Sequence, residues 1–225
     1  MPNHTTIWAD TVIPPLPSAD DPAAVEVGVK FRVDVAGSIT GIRFFKGAAN
    51  TGVHVGKLWG RDGVLLGTAT FRGETASGWQ QVSFATPIAV VPNTTYVASY
   101  HAPAGRYAAS LDYFANAAVS SPPLYALQTG VDGPNGVYAY GSGGFPTSTF
   151  RAANYWVDVV FAPEPAPGLA AAAAKQDYHP RKLSKLKYKK SAWRAADDDA
   201  EGWGLIRPGT RGVLNGGRVI SPEGQ

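Results

Sequence analysis

The sequence predicts an all-β protein: a jelly-roll-like antiparallel β-sandwich of about eight or nine strands, followed by an extended, mostly irregular C-terminal arm. Three observations support this prediction. The 225 residues include 26 Gly, 18 Pro and 11% aromatic residues, a composition that favours strands and turns over helices. Residues 25–35 alternate apolar positions with polar or Gly positions, as a half-buried strand does. Further short apolar segments follow, separated by turn residues at the spacing of a sandwich.

Strands are expected wherever an apolar or alternating segment is bounded by Gly, Pro, Asn or Asp. The segments are Val25–Val35, Ile39–Lys46, Val53–Trp59, Val64–Phe71, Trp79–Phe84, Thr95–His101, Tyr107–Phe114 and Tyr155–Phe161. Residues 119–149 contain several Pro and Gly clusters and are predicted to be the least regular part.

Composition divides the chain into three parts. We predict a β-sandwich head over residues 1–162, a Pro/Ala-rich linker over 163–174 and a basic extended arm over 175–225. The head is nearly neutral, whereas residues 175–194 contain eight Lys or Arg and one acid. Apolar residues in the arm are too sparse for a core, so we expect the arm to bind other proteins or sister subunits in a homo-oligomer. Its predicted contact residues are Arg181, Lys182, Lys185, Lys187, Lys189, Lys190, Trp193, Trp203, Leu205 and Ile206. A disordered solubilising tail ranks second, and nucleic-acid binding third.

Catalytic, metal and cofactor sites are not expected. The chain has no Cys, no G-x-S-x-G elbow and no phosphate-binding loop. His54 and His101 could meet across a sheet and, with Asp112 or Asp158, bind a metal; ordinary hydrogen-bonded strand residues are the favoured interpretation. Residues 1–10 lack the features of an export signal, and no apolar run is long enough to span a membrane.

Aromatic residues in the second half of the head are the better functional lead. An exposed ring can pack on the apolar face of a sugar while neighbouring polar groups bind its hydroxyls. In a sandwich most aromatic residues fill the core, and a position in the core remains the alternative for each candidate tyrosine. The candidate glycan-binding residues are His101, Arg106, Tyr107, Tyr113, Tyr125, Tyr138 and Tyr140.

Several segments together resemble a known family. They are 27–31 (VGVKF), 41–46 (GIRFFK), 51–59 (TGVHVGKLW), 78–82 (GWQQV), 96–101 (YVASYH) and 154–159 (NYWVDV). They are similar to the bacterial domain of unknown function family 4082, which occurs in secreted actinobacterial proteins beside immunoglobulin-like and carbohydrate-active modules. The resemblance covers residues 6–162 and implies a β-sandwich with a surface or glycan-related function. It assigns no catalytic residue.

The resulting functional hypothesis is a non-enzymatic virion protein of an actinobacteriophage. It would be a minor tail or capsid-decoration component, made in the host cytoplasm, with an outward head that contacts host glycans and an arm that anchors it to the particle. The alternative is a carbohydrate-binding module of a bacterial cell-surface protein. A hydrolase with an unrecognised site is the third hypothesis.

Overall fold

The computed structural model describes residues 4–165, and the predicted arm and most of the predicted linker lie outside them. Eleven strands and no helix form in this part of the chain. The strands are β1 (Val25–Val33), β2 (Gly37–Lys46), β3 (Val55–Gly60), β4 (Leu65–Thr70), β5 (Gly78–Val90), β6 (Tyr96–Ala102), β7 (Val119–Ser121), β8 (Leu124–Ala126), β9 (Val137–Tyr140), β10 (Ser148–Thr149) and β11 (Val157–Pro163).

The strands form two antiparallel sheets that pack face to face. The larger sheet has the order β10-β9-β1-β6-β3-β4, with β8 paired to the end of β1 and β7 paired to β8; the smaller has the order β11-β2-β5. The ring of Phe44 on β2 stacks on that of Tyr100 on β6, with centroids 4.0 Å apart, at the centre of the core between the sheets. The predicted all-β antiparallel sandwich is confirmed, although it has more strands than predicted.

The central strand β1 is buried on both faces, although its alternation predicted burial on one face only. Val27 and Phe31 point into the core, as expected. Glu26 and Gly28 on the opposite, outer face are buried as well. The connection between β9 and β10 crosses this outer face, where Phe145 packs on Trp59, Val97 and Val137. The outer face of the larger sheet is therefore a second, smaller interior.

One strand prediction was wrong, and four short strands were not predicted. Residues 107–114 form only isolated bridges, because Arg106 and Asp112 have positive φ angles of 55° and 59°, which bend the chain out of an extended path. Residues 119–149, predicted to be the least regular part, contain the four short strands β7 to β10. Short pairings of two to four residues leave little periodicity in the sequence, so pattern analysis passes over them.

The segment before β1 packs against the smaller sheet. The Trp8 ring lies between Trp79 and Trp156, with centroid separations of 6.5 and 5.6 Å. Thr5 and Phe161 exchange backbone hydrogen bonds of 2.8 and 2.9 Å. The first and last segments of the domain's chain are thus hydrogen-bonded to each other.

Candidate functional site

A cleft lined by tyrosine rings opens at one end of the larger sheet. Its walls are Tyr107, Tyr138, Tyr140, Tyr155 and Phe150, which enclose a volume of about 200 Å³. Tyr140 and Phe150 are 59% and 54% exposed, while Tyr155 is buried at the base. The rings meet edge to face, with centroids 5.4 Å apart for Tyr138 and Tyr140 and 5.4 Å for Tyr107 and Tyr155. The cleft therefore presents an apolar, aromatic surface to solvent.

The register of β9 sets the direction of its two tyrosines. Tyr138 pairs with Val27 and Tyr140 with Val25, so both share the face of the sheet that carries the core residues of β1. The smaller sheet has only three strands. At β9 the larger sheet is covered by loop residues instead of by the smaller sheet, because Tyr155 packs on Tyr138 and Tyr107 packs on Tyr155.

Asp21 supplies a carboxylate at the edge of the cleft. Its Oδ2 accepts hydrogen bonds from the hydroxyls of Tyr107 and Tyr140, at 3.0 and 2.7 Å, and its Oδ1 accepts one from the amide of Ala23 at 3.0 Å. Partial burial raises the pKa of Asp21, but the bonds from Tyr140, Ala23 and Tyr107 outweigh it and lower that pKa overall. The group is an anion at neutral pH.

A tight turn holds Asp21 between the two tyrosines. The amide of Arg106 donates to the carbonyl of Asp21 at 2.7 Å, and the amide of Ala19 donates to the carbonyl of Tyr107 at 2.8 Å. Gly105 in this turn has a φ of +61°, and a Cβ there would lie 2.1 Å from the Asp21 carbonyl oxygen. Only glycine allows this approach. The Arg106 guanidinium pairs with Asp20, which places a cation beside the cleft.

The two tyrosine hydroxyls remain protonated donors at neutral pH. Burial, together with the bond to Asp21, raises the pKa of Tyr107, and the bond to Asp21 raises that of Tyr140. The cleft thus combines flat ring faces with a carboxylate acceptor, phenolic hydroxyls and a nearby guanidinium. Apolar faces with a few fixed polar groups are the chemistry that recognises a hydroxylated ring such as a sugar.

The structure brings together four of the seven residues predicted from the sequence: Arg106, Tyr107, Tyr138 and Tyr140. The other three lie elsewhere. Tyr113 packs edge-on against Trp156 and accepts a 3.3 Å hydrogen bond from the indole of Trp8. Tyr125 on β8 donates to Asp34 at 2.9 Å. His101 lies on β6, on the outer face of the larger sheet. The predicted contact residues of the arm, from Arg181 to Ile206, lie outside the described residues.

Sequence reasoning missed three residues of the cleft: Asp21, Phe150 and Tyr155. Asp21 lies 86 residues from Tyr107 and 119 from Tyr140, so no local pattern connects them. Tyr155 begins a segment that the sequence assigns to a strand, which favours a core position. The consecutive acids Asp20 and Asp21 before Pro22 were the one available signal, and they are equally typical of a turn.

The two histidines considered as metal ligands face opposite sides of the larger sheet. His101 pairs with Val55, so the preceding residue, His54, points the other way, into the core. His54 hydrogen-bonds there to Glu74 at 2.9 Å and to Asn50 at 2.8 Å. Within residues 4–165, no three His, Asp or Glu side chains are grouped as metal ligands.

The fold and the cleft define an antiparallel β-sandwich module with an aromatic, carboxylate-bearing recess. The family model named Domain of unknown function (DUF4082) matches residues 11–157, and the chain belongs to this family. The resemblance found in the sequence motifs is thereby confirmed for the domain. No curated protein matches the chain. Residues 4–165 contain no helix that could span a membrane.

Proposed function

We propose that the sandwich is a non-enzymatic glycan-binding module and that the tyrosine cleft is its sugar site. The observation that carries the proposal is the arrangement of Asp21 between the hydroxyls of Tyr107 and Tyr140 beside open ring faces. A sugar ring would stack its C–H face on Tyr140 or Phe150 and offer its hydroxyls to the Asp21 carboxylate. The hydrogen bonds that hold Asp21 in place supply the preorganisation that such weak contacts need.

Binding of the full chain to a glycan array, followed by calorimetry on the sugars retained, tests this proposal. Tyr140→Ala removes an exposed ring from the cleft and is expected to weaken binding about tenfold or more, which corresponds to about 1.4 kcal/mol. Tyr140→Phe keeps the ring and loses the hydroxyl, so its affinity should lie between that of the wild type and that of Tyr140→Ala. Tyr125→Ala is the matched control, because Tyr125 is a partly exposed strand tyrosine, bonded to Asp34, outside the cleft. Equal affinities for Tyr140→Ala and Tyr125→Ala, or no retained glycan, would contradict the proposal.

The proposed setting of this module is a phage virion, as a minor tail or capsid-decoration protein. Support comes from the sequence alone: the strongly basic segment 175–194 with scattered apolar residues behind a neutral head. In this setting the arm binds other virion proteins or sister copies, and the head reaches host surface glycans. The alternative setting is a bacterial cell-surface protein, for which the same cleft would serve as a carbohydrate-binding module.

Limited proteolysis distinguishes these settings. The full chain is digested alone and in purified particles, and the cleavage sites are read by mass spectrometry. An anchoring arm predicts cleavage within residues 163–200 in isolation and protection in the particle. Absence of the protein from purified virions, or an arm protected in the isolated monomer, would reject the virion role and leave the glycan proposal to be decided by its own assay.

A further inference from the structure

A buried polar cluster lies on the outer face of the larger sheet, on the opposite side from the core. Its members are Glu26 on β1, Lys57 on β3, and Ser99 and His101 on β6, the strand between them. Lys57 Nζ donates to Glu26 Oε2 at 2.7 Å, and the side chains of Lys57 and Glu26 are 12% and 0% exposed. Two oppositely charged groups are thus in contact across β6 and almost fully removed from water.

Ser99 and His101 each lie beside a different oxygen of the Glu26 carboxylate. Ser99 donates its hydroxyl proton to Glu26 Oε1 and itself accepts from the indole of Trp59 at 2.7 Å. His101 Nδ1 lies 3.9 Å from Glu26 Oε2 and has no hydrogen-bond partner within the described residues. A buried ring nitrogen without a partner is uncommon and costs free energy. An ion pair between Lys57 and Glu26 does not by itself explain why His101 Nδ1 is buried beside them without a partner.

The glycine-rich connection between β9 and β10 closes over the pair. A Cβ on Gly143 would lie 2.7 Å from Lys57 Nζ, 2.8 Å from Glu26 Oε2 and 3.1 Å from His101 Nδ1. Glycine therefore lets the backbone seal the three polar atoms at one point. Beside them Trp59, Val97, Val137 and Phe145 form a small apolar cluster. Such surroundings exclude water and favour uncharged forms of acid and amine.

We propose that Lys57 and Glu26 condense into an intramolecular amide bond, a covalent cross-link between β1 and β3. The ammonium proton facing Oε2 transfers along the hydrogen bond, which gives a neutral amine and a neutral acid. The Nζ lone pair attacks Cδ and forms the N–C bond. The Cδ–Oε2 bond then breaks, and Oε2 leaves as water with two protons, both of which come from Nζ. No oxidant, reductant or co-reactant is needed.

The neighbouring groups suit this reaction. Burial raises the pKa of Glu26, which favours the neutral acid, although Lys57 and Ser99 oppose that shift. Burial lowers the pKa of His101, so its imidazole is a neutral base that can carry the second proton from Nζ to the leaving oxygen. The hydrogen bond from Ser99 to Oε1 stabilises the negative charge that develops there during attack. Fixed contact between the reacting groups replaces a bimolecular encounter, an advantage equivalent to about 10⁵–10⁸ M.

Mass spectrometry of the purified, denatured full chain tests the proposal. The cross-link lowers the intact mass by one water molecule. It also blocks tryptic cleavage after Lys57, so residues 1–30 appear joined to residues 47–61 in one species. Lys57→Arg is the matched control, because arginine keeps the ion pair but lacks the primary amine. His101→Ala is expected to lower the cross-linked fraction while leaving Lys57 and Glu26 in place, whereas Gly143→Ala is expected to lower it by pushing the two reacting side chains aside.

A joined species present in the wild type and absent from Lys57→Arg supports the bond. An intact mass equal to that of the sequence, with free peptides 1–30 and 47–57, overturns it and leaves a buried ion pair. An unchanged cross-linked fraction in His101→Ala would reject the role given to the imidazole. Glycan binding is measured separately, so the two proposals stand or fall independently.

Discussion

Replacing Gly105 by alanine tests whether the close approach of two backbone segments builds the tyrosine cleft. The Gly105→Ala side chain would meet the carbonyl oxygens of Asp21 at 2.1 Å and of Ala23 at 2.8 Å. Both contacts are with backbone atoms, which cannot rotate away as a side chain does. We expect the N-terminal segment to shift and to carry the Asp21 carboxylate away from Tyr107 and Tyr140.

Gly73 supplies a matched control for the strain of the backbone itself. Its φ of +68° is close to the +61° of Gly105, but a Cβ at Gly73 has no atom within 4 Å. A left-handed conformation costs an alanine about 1–2 kcal/mol, offset in part by about 0.4–1 kcal/mol from the stiffer unfolded chain. Gly73→Ala should therefore lose about 1 kcal/mol or less. Gly105→Ala should lose about 1–4 kcal/mol, because overpacking adds about 1–3 kcal/mol to the same backbone cost.

Urea denaturation followed by tryptophan fluorescence measures the two variants. The expected result is a larger drop in the midpoint for Gly105→Ala at an unchanged m-value. Glycan affinity should fall in Gly105→Ala and stay unchanged in Gly73→Ala. Equal midpoints for the two variants would refute the argument that this approach of two segments is tight and specific.

Three further changes test other parts of the fold by the same denaturation assay. Trp8→Ala should lower the free energy of unfolding by about 3–5 kcal/mol, because it empties the space between Trp79 and Trp156; a loss below about 1 kcal/mol would contradict this packing. Burial lowers the pKa of His54 from 6.5, so the unfolded chain binds the extra proton and stability falls as the pH drops below 6.5; H54N should reduce this slope, and an equal slope would place the titration elsewhere. Asn135→Asp should cost about 3 kcal/mol or more at neutral pH, since its buried amide nitrogen donates to two backbone carbonyls that a carboxylate would repel, and little loss would mean that the site admits water.

The sequence was most informative where structure depends on neighbouring residues. The alternation over residues 25–35 predicts β1 correctly, because each strand residue faces the side opposite to its neighbour. The same alternation could not reveal that Glu26 is buried, since the segment that covers it lies more than 100 residues later. Burial on the second face of a strand depends on distant chain segments.

The same limit applies to the candidate cleft. The aromatic-rich second half led to Tyr107, Tyr138 and Tyr140 as candidates, and these three rings line one cleft, but the sequence gave equal weight to Tyr113. The positive φ of Asp112, which lies between Tyr107 and Tyr113, bends the chain before Tyr113. Aspartate adopts this conformation more often than most residues do, but the residue type does not tell at which position it will. Asp21 joins the cleft only through hydrogen bonds that span most of the domain.

The reciprocal hydrogen bonds between Thr5 and Phe161 place the entrance and exit of the sandwich side by side. A domain with adjacent ends can be inserted into a surface loop of another protein without stretching the host on either side. For the same reason its ends can be fused and new ones opened at an exposed turn such as Arg61-Asp62-Gly63. The sandwich can therefore be joined to a larger protein through its two adjacent ends without any change in the packing of its core.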